Sequence, residues 1–456
     1  MQQADSMSPV ERRAAVSLAA VFAFRMLGLF MVLPVLATYG QHLEGATPLL
    51  IGVAIGAYGF TQALLQIPFG MLSDRIGRKP VIIGGLILFA LGGLVAAQAD
   101  SMMGVVLGRI LQGAGAIAAA IMALVADLTR DQHRTKAMAM IGMSIGVSFG
   151  LAMIAGPLIA AAAGLAGVFY TTVALAVVGL GLVAWVVPTP TLALQHREAG
   201  VVRSALLPAL SNPELLRLNY GIGVLHAILM ASFVVIPLAL QDRGGLPTSQ
   251  HWWVYLSALL VSFVAMVPAI FYAERKRRVK QVLLGAVALL ALVQGLLWLN
   301  LDSLDGLVVS IIVYFTAFNL LEATLPSLLS KVAPPGAKGT AMGIYSTSQF
   351  IGAALGGALG GAVYGQFGLG GVFLLCAVLA LSWLAIGVTM SQPPYVKSYR
   401  LPLPDTHSRD EALLRRILAV PGVAEAVIVA EEAAAYIKVD TQVLDREALD
   451  RVLQPA

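Results

Sequence analysis

Charged residues are scarce in this sequence. Only 12% of its 456 residues are Asp, Glu, Lys or Arg, whereas 59% are hydrophobic. Soluble domains carry about a quarter charged residues, so a single water-soluble core does not explain this composition. Helices that cross a bilayer do explain it, because about 20 apolar residues at 1.5 Å each span the hydrocarbon. The composition therefore predicts an all-α membrane protein whose first partner is the lipid bilayer.

Cysteine is nearly absent, and enzyme motifs are absent. The single cysteine, Cys376, lies in an apolar run and excludes an internal disulfide. The sequence has no phosphate-binding loop, no metal-ligand spacing and no nucleophile motif. We therefore expect no enzymatic activity, no metal and no cofactor. Any work that the protein performs must draw on a gradient rather than on ATP.

Twelve apolar runs divide the first 390 residues. Each is long enough to cross a bilayer once as a helix, which satisfies its own backbone groups in lipid. The first run is too long for a signal-peptide core and has Arg25 in its middle, so we expect it to be retained. The runs are 14–39, 49–71, 80–99, 103–126, 138–163, 167–188, 217–240, 252–273, 280–300, 306–329, 340–365 and 368–390.

The loops on the two sides of the predicted bundle differ in charge. With the N-terminus inside, the loops on the inner side hold nearly all the cations, for example Arg75, Lys79 and Lys280. The outer loops hold one cation, Arg243, among several acids such as Asp302. Because cytoplasmic loops are enriched in Lys and Arg, we expect a multi-pass protein of the bacterial inner membrane with both termini in the cytoplasm.

The runs fall into two sets of six. The longest internal polar stretch, 189–216, separates them, and each set has its most basic short loop after its second run (Asp74–Lys79 and Glu274–Lys280). This arrangement is typical of a tandem duplication, although any twelve-helix protein has alternating basic loops. We expect an N-terminal six-helix bundle at 1–188, a cytoplasmic linker at 189–216 and a C-terminal bundle at 217–390.

The composition changes after the last run. Residues 391–404 contain four prolines and predict a stiff linker. Residues 405–456 alternate helix and strand patterns, and a possible first strand at Tyr399–Leu403 completes the order βαββα, a short relative of the ferredoxin-like pattern. The charges of this tail are balanced, so it has no basic patch for nucleic acid. We expect a small cytoplasmic α+β domain that binds a regulatory ligand or protein, or that only adds stability.

The loop after the second run carries a specific motif. It reads Gly70-Met-Leu-Ser-Asp74-Arg75-Ile-Gly77-Arg78-Lys and resembles the signature G-x-L-x-D-R-x-G-R-K of the major facilitator superfamily at every defined position. The resemblance covers residues 1–390. It implies two six-helix bundles that move an unidentified small-molecule substrate by alternating access. It also implies that the aspartate and its neighbouring arginine latch the halves together when the cytoplasmic side is closed.

The residues of this loop also have their own physical logic. Gly70 and Gly77 permit a close helix contact and a tight turn. Asp74 is an anion on the side where the eleventh run begins, near Thr340, with its partial positive charge. Alternatively, the loop only sets the orientation of the protein in the membrane through its basic residues. That role explains the arginines but not the aspartate or the glycines.

Two further motifs of the family follow in and after the fourth run. Asp127, Arg130 and Arg134 resemble its companion polar cluster; we expect Asp127 to pair with a loop arginine, unless it forms only a solvated surface pair contributing under about 1 kcal/mol. Arg109 begins a stretch that resembles R-x-x-Q-G-x-G, in which the arginine faces inwards and assists proton transfer from a nearby acid. Snorkelling of Arg109 to the outer interface is the alternative.

The fifth run is rich in glycine. Gly150 and the pair Gly156-Pro157 resemble the Gly-Pro motif of drug:proton antiporters, but Ala152 and Ala160 stand where that motif usually has glycine. Ordinary helix packing explains such glycines equally well.

Ionisable residues inside a membrane are costly, and they are functional by default. Glu322 is the only acid within a run away from its ends, and a carboxyl held away from water can carry an exchangeable proton. We therefore predict Glu322 as the first proton carrier and His226 as the second. A structural contact of Glu322 with an arginine or with Asn319, and a core histidine bonded to a backbone carbonyl, are the alternatives.

Arg25 stands in the first run, where drug antiporters of the superfamily commonly have an acid, so an anionic or neutral substrate is favoured. The sequence predicts a proton-coupled antiporter that exports a small molecule. A uniporter or importer of the same fold, and a membrane sensor acting through the tail, remain alternatives. Further candidates for the central cavity, chosen by polarity alone, are Tyr58, Gln62, Gln66, Tyr345 and Gln349.

Overall fold

In the computed structural model, the chain forms a bundle of long helices and a small domain with a three-stranded sheet. The structure describes residues 6–189, 203–403, 411–429, 434–440 and 442–453. The α-helices are α1 Pro9–Phe30, α2 Leu33–Tyr39, α3 Pro48–Ile76, α4 Arg78–Ala97, α5 Met102–Ala114, α6 Ala118–Leu128, α7 Asp131–Gly181, α8 Arg203–Ser211, α9 Pro213–Leu238, α10 His251–Arg275, α11 Val279–Leu299, α12 Leu304–Val332, α13 Lys338–Val388, α14 Glu411–Leu418 and α15 Arg446–Leu453. The strands are β1 Lys397–Pro402, β2 Val423–Val429 and β3 Ala434–Val439.

The helices of the bundle make twelve crossings. Ten continuous helical stretches of the described chain are long and apolar enough to span a bilayer. Two of them, α7 and α13, contain 51 residues each, which is too long for one crossing. Gly164 (φ 68°) and Gly368 (φ 67°) break them in a backbone region that favours glycine. The breaks fall between the predicted runs 138–163 and 167–188, and at the start of 368–390, so the twelve-helix prediction is confirmed.

The two halves of the bundle repeat each other. We call α1–α7 the N-terminal half and α9–α13 the C-terminal half. Lys79 Nζ donates to the Val187 carbonyl at 3.0 Å, and Lys280 Nζ donates to the Val388 carbonyl at 3.0 Å. In each half, a lysine at the start of the third crossing thus satisfies a carbonyl at the end of the sixth, where cations are favoured. The repeated contact and the repeated glycine break support a tandem duplication.

The junction between the halves begins before the predicted boundary. Asn212 caps α9 by accepting from the backbone amides of Glu214 and Leu215 at 2.9 and 3.2 Å. The second half therefore starts at Pro213 rather than at 217, because a capping side chain fixes the helix start ahead of the apolar run. The predicted linker 189–216 also contains α8, and its residues 190–202 lie outside the described part of the chain.

Helix α13 has two glycine faces. Gly352, Gly356 and Gly360 face α9 of the same half, where added Cβ atoms would overlap the α9 backbone. Gly357 and Gly361 face α3 of the other half, and a Cβ on Gly361 would lie 3.0 Å from the Gly52 Cα. Small residues allow such close approach of helices in membranes. One face of α13 therefore holds its own half together and the other closes the contact between halves.

The halves meet at one end of the bundle and diverge towards the other. We call the end with Arg78 and Lys338 the basic end, and the end with Glu44 and Asp305 the acidic end. Gly52 and Gly361 meet near the acidic end. On α7, a Cβ on Gly150 would lie 3.8 Å from Leu259 of α10 in the C-terminal half. Gly146 and Gly142 lie one and two turns nearer the basic end on the same face. Apart from the adjacent backbone of α7, no heavy atom of the described chain would lie within 4 Å of a Cβ at either position.

The tail is a βαββα domain, as predicted. Its strand order is β1-β3-β2 and all pairs are antiparallel. Alternate residues of β3 face opposite sides of the sheet. Ile437 packs with Leu413 and Ile417 of α14, whereas Tyr436 faces the C-terminal half, where a Cβ on Gly336 would lie 3.6 Å from its ring. β1 falls inside the predicted linker 391–404, so the sheet domain begins before residue 405.

The glycine contact at the acidic end leads to a prediction. A valine at Gly357 would overlap α3, and overpacking costs about 1–3 kcal/mol, so Gly357→Val should favour a state in which the halves separate there. Spin labels at the exposed Gln41 and Gln366, in a Cys376→Ser background, should report a longer distance. Gly285→Val is the matched control, because no heavy atom of the described chain lies within 4 Å of a Cβ there. An unchanged distance for Gly357→Val would contradict this role.

Candidate functional site

A cluster of polar side chains lies at mid-bundle in the N-terminal half. We call Arg25, Tyr58, Gln62 and Arg109 the arginine cluster. Arg25 Nη2 donates to Gln62 Oε1 at 2.6 Å and to the Gly115 carbonyl at 3.0 Å. The guanidinium carbons of Arg25 and Arg109 lie 5.5 and 5.3 Å from the centre of the Tyr58 ring. The phenol ring is thus in cation–π contact with both cations.

Arg109 is fully buried rather than directed to the interface. Its Nε donates to the Ala54 carbonyl at 3.3 Å, and its Nη1 donates to Gln112 Oε1 at 3.0 Å. Its exposed fraction is 0%, so the snorkelling alternative is wrong. The motif supplies the second contact locally, since Gln112 is one helical turn after Arg109 on α5, whereas Ala54 lies on α3.

The arginine cluster contains more donors than acceptors. Arg25 Nε and Nη1, Arg109 Nη2 and Gln112 Nε2 are buried, and they have no hydrogen-bond partner among the described residues. The Tyr58 hydroxyl comes close to Arg25 without reaching good hydrogen-bond geometry. Buried polar groups are usually satisfied, so a cluster of unused donors needs an explanation.

A second cluster lies opposite, in the C-terminal half. We call His226, Glu322, Tyr345 and Gln349 the carboxyl cluster. Glu322 Oε2 lies 3.9 Å from His226 Nε2, and Gln349 Nε2 lies 2.7 Å from the same ring nitrogen. The Glu322 carboxylate also interacts electrostatically with Tyr345. Three helices, α9, α12 and α13, thus bring the predicted cavity residues of this half together.

Glu322 is partly exposed, although its Oε2 is buried and has no hydrogen-bond partner among the described residues. Its side chain keeps 38% of its surface exposed, although His226 beside it keeps only 10%. Asn319, one turn earlier on α12, donates instead to Ser262 Oγ of α10 at 2.8 Å. Neither structural alternative for Glu322 is seen, because no hydrogen bond or ion pair joins it to Asn319 or to an arginine among the described residues. His226 Nδ1 lies 3.3 Å from the Ile222 carbonyl, which fixes the ring. The structure therefore has the contact expected for the alternative, a core histidine bonded to a backbone carbonyl.

Aromatic rings separate the two clusters and join the halves. The Tyr58 ring of α3 lies 6.2 Å from the Phe350 ring of α13. On the other side, Phe149 of α7 lies 6.4 Å from Phe318 of α12, which in turn lies 6.0 Å from the His226 ring. The arginine cluster therefore reaches the boundary between the halves through Tyr58, and the carboxyl cluster is separated from it by the Phe318 ring.

The loop motif at the basic end forms a buried ion-pair network. Arg78 pairs with Asp74, and its Nε lies 3.2 Å from Asp127 Oδ2, with side chains 6% and 1% exposed. Asp127 thus pairs with a loop arginine, and the pair is buried rather than solvated. Gly77 has φ 99°, which turns the chain between α3 and α4, and a Cβ on Gly70 would lie 3.1 Å from Ala119 of α6.

The remaining residues of the two loop motifs lie nearby. Arg130 pairs with Glu11 at the start of α1 at 2.8 Å, so it ties the first helix to the loop before α7. Arg75 is exposed, and Arg134 lies in the first turn of α7. In this conformation the described ion pairs of Asp74, Asp127 and Arg130 are all within the N-terminal half.

Gly156 has a packing role. A Cβ there would lie 2.5 Å from the Met31 carbonyl and 3.2 Å from Pro34, at the break between α1 and α2. Pro34 cannot donate a backbone hydrogen bond, and the missing side chain of Gly156 lets the broken helix lie against α7. Pro157 follows inside α7.

The tail domain docks on the basic end of the C-terminal half. Lys438 is 1% exposed, and its Nζ donates to the carbonyls of Lys331 and Val332, the last residues of α12, at 2.9 and 3.4 Å. Arg277 Nη2 lies 3.2 Å from Asp440 Oδ1. Burial lowers the pKa of Lys438, and the nearby Glu425 carboxylate offsets part of this effect.

Sequence reasoning found most members of both clusters but missed several contacts. Gln112 was visible in the motif, but its bond to Arg109 was not. Phe350 and Phe318 gave no recognisable pattern among many apolar residues. Lys438 was one of several lysines and arginines in the tail, and its burial depends on how the sheet domain docks.

Comparisons with known proteins agree with this architecture. The sequence profile described as Major Facilitator Superfamily matches residues 18–357, and the profile described as YajR YAM domain matches 399–455. The inner membrane transport protein YajR of Escherichia coli (strain K12) is 51% identical over 450 residues, 99% of each chain. The multidrug resistance protein MdtH of Aeromonas hydrophila is 24% identical over 337 residues, 73% of this chain and 82% of that one.

A solved structure supports the fold. The crystal structure of a bacterial homolog of the human lysosomal transporter Spinster, in an inward-facing and unoccupied conformation, has a TM-score of 0.68. It is 14% identical and covers 84% of this chain and 98% of that chain, a likeness that shows the fold alone. Together with the profile matches, the twelve crossings and the loop motif, these relationships show that the chain belongs to the major facilitator superfamily, as a multi-pass transporter of the inner membrane that carries a YajR-type YAM domain at its C-terminal end.

Proposed function

We propose that the protein is a proton-coupled exporter that exchanges a small molecule for protons by alternating access. The observation that carries this proposal is the position of Glu322, a partly exposed carboxyl at mid-bundle beside His226, with one buried oxygen that has no hydrogen-bond partner among the described residues. Such a residue inside a membrane protein is functional by default. A carboxyl is neutral with its proton and negative without it, so its charge can differ between the two states of the cycle.

In this proposal the basic end lies in the cytoplasm, and so do both termini. The excess of cations at that end supports this orientation. The conformation described here is then closed to the outside by the contact of α3 with α13 and diverges towards the cytoplasm. A proton on Glu322 would leave towards the side to which the cavity opens, and His226 and Gln349 would hold the carboxyl in place.

The loop motif would latch the opposite state. When the basic ends approach, Asp74 would face the N-terminal end of α13, where partial positive charge favours an anion. Arg78 links Asp74 to Asp127 in the conformation described here, so the acid is already positioned for that contact. Arg75, Arg130 and Arg134 would complete the network.

Export is favoured over import by the distant relatives named multidrug resistance proteins. The imperfect Gly-Pro motif of the fifth crossing and the absence of an acid in the first favour a uniporter or importer instead. A sensor that does not transport would use the same fold to position the tail. In proteoliposomes, ligand-induced proton release indicates exchange, flux without pH coupling indicates uniport, and no flux for any stabilising ligand indicates a sensor.

We also propose that the tail domain regulates the C-terminal half. Lys438 is a cation that caps the C-terminal end of α12, the helix that carries Glu322, where cations are stabilising. Arg277 and Tyr395 fasten the same domain to the loop before α11, because the Arg277 guanidinium lies 5.0 Å from the Tyr395 ring. A ligand or protein that displaced the domain would remove this cap. A passive contribution to stability is the alternative.

Glu322→Gln should abolish proton coupling. Glutamine keeps the size and polarity but carries no exchangeable proton, so pH-driven transport of a ligand found by thermal-shift screening should fall by about tenfold or more. Ligand exchange without a pH gradient should persist. Asp305→Asn, on the same helix but at the exposed acidic end, is the control and should keep both activities. Full pH-driven transport by Glu322→Gln would exclude this proton carrier.

Asp74→Asn should weaken the closed state of the basic end. Asparagine lacks the charge that the end of α13 would attract, so the population with short distances between labels at Ile76 and Lys338 should fall about fivefold or more. Transport should slow accordingly. Asp100→Asn, at the acidic end, should change neither quantity. A latch at Asp74 is wrong if the variant matches the wild type in both.

Lys438→Met should loosen the tail. Methionine keeps the length but leaves the last carbonyls of α12 without a cation, a loss of about 1.5–3 kcal/mol for a charged hydrogen bond. Limited proteolysis in the 391–404 segment should accelerate, and Lys397→Met, at an exposed position of β1, should behave as wild type. If transport changes together with cleavage, the tail is regulatory; equal cleavage of wild type and Lys438→Met would refute the capping contact.

A further inference from the structure

We propose that Arg25 and Arg109 form a binding site for a carboxylate or a similar anionic group, and that the molecules this protein carries are small organic anions. This inference rests on the proposed transport function and adds the chemical class of the substrate. The proposed binding site is the arginine cluster, whereas the proton carrier belongs to the carboxyl cluster.

The charges of the arginine cluster are not balanced. Arginine is not deprotonated in proteins, and Arg25 and Arg109 are 1% and 0% exposed. The titratable side chain that interacts electrostatically with both of them is the Tyr58 phenol. No ion pair joins either arginine to a carboxylate among the residues that the structure describes. Buried charges are normally paired, so the cluster lacks an anion.

The groups around the two guanidinium groups are uncharged. The elements packed against Arg25 contribute Gln62, the Gly115 carbonyl and the Phe89 ring, 5.8 Å from the guanidinium carbon. Those against Arg109 contribute the Ala54 carbonyl and Gln112. Each guanidinium thus uses neutral acceptors for some of its N–H groups. Such neutral partners alone offset little of the free energy that it costs to remove a cation from water.

Several hydrogen-bond donors of the two arginines and of the neighbouring Gln112 are unused. Two nitrogens of Arg25, one of Arg109 and the amide of Gln112 have no acceptor in the described chain, and all three side chains are at least nine-tenths buried. The planar guanidinium groups of the two arginines match the two oxygens of a carboxylate. A neutral ligand would satisfy hydrogen bonds but leave two positive charges uncompensated, so the cluster favours an anion.

A ligand would reach the arginine cluster from the boundary between the halves. The Tyr58 ring is the boundary of the cluster towards the C-terminal half, and it lies against Phe350. A conformational change that separates α3 from α13 removes Phe350 and uncovers the cluster. From Arg25, the polar path continues through Gln62, whose Nε2 donates to Gln66 Oε1 at 3.1 Å, one turn nearer the basic end. The site is therefore placed where each state of the cycle can expose or cover it.

The test uses benzoate and its neutral counterpart benzamide on the purified full-length protein at fixed pH and ionic strength. Benzoate should raise the melting temperature with a saturable dose dependence, and benzamide should not. Arg25→Gln and Arg109→Gln should each weaken benzoate binding by about tenfold or more. Arg243→Gln, which removes a charge from the exposed acidic end, is the control and should bind benzoate as wild type.

Several outcomes would overturn the proposal. Equal effects of benzoate and benzamide would show that charge is not recognised. Stabilisation by chloride equal to that by benzoate would indicate a site for inorganic anions rather than for an organic substrate. Unchanged benzoate affinity in Arg25→Gln and Arg109→Gln would place the anion elsewhere. If the glutamine variants do not fold, Arg25→Lys keeps the charge but loses the planar guanidinium group, and it should still bind benzoate more weakly than wild type.

The result separates this inference from the proposed exchange. Benzoate binding is measured without a gradient, so it does not require proton coupling. Loss of pH-driven transport in Glu322→Gln with no anion preference would leave the exchanger and exclude the anion site. Anion binding that depends on Arg25, in a protein whose transport ignores pH, would retain the site and exclude the exchanger.

Discussion

The cost of an unpaired charge in hydrocarbon determines how this protein is built. Helices that cross a bilayer satisfy their own backbone groups, so polar side chains are the only groups that require a partner there. At the basic end, Arg78 forms an ion pair with Asp127 and Lys438 caps the end of α12. Inside the bilayer, Arg25, Arg109 and Glu322 lie at mid-bundle without an opposite charge in direct contact among the described residues. These three residues are therefore the candidates for binding the proton and the substrate.

Close packing around glycine makes this arrangement compatible with movement. The face of α13 that meets α9 stays within one half, and the face that meets α3 crosses to the other. A contact of backbone against backbone has few side chains to rearrange, so it can open and close as a unit. The polar clusters lie beside this contact, and in the proposed cycle a movement of the halves would change their access to water without breaking either bundle.

The sequence alone was sufficient for the fold and for part of the site. Apolar runs identified twelve crossings because hydrocarbon permits few other patterns, and the glycine breaks at Gly164 and Gly368 agree with the runs. The pairing of Asp127 with a loop arginine followed from a motif. The start of α9 at Pro213 and of β1 at Lys397 were placed too late, because a cap and an edge strand have weak local patterns. The sharing of Tyr58 by Arg25 and Arg109 depends on how three helices pack, which no local pattern contains.

In the proposed mechanism, a carboxyl inside the bilayer carries an exchangeable proton. Dicyclohexylcarbodiimide tests it directly, because the reagent partitions into hydrocarbon and modifies protonated carboxyls. Mass spectrometry of the protein in membranes should find the modification on Glu322, in an amount that falls as the pH is raised. Absence of modification at Glu322 at every pH, with other carboxyls labelled, would contradict the account.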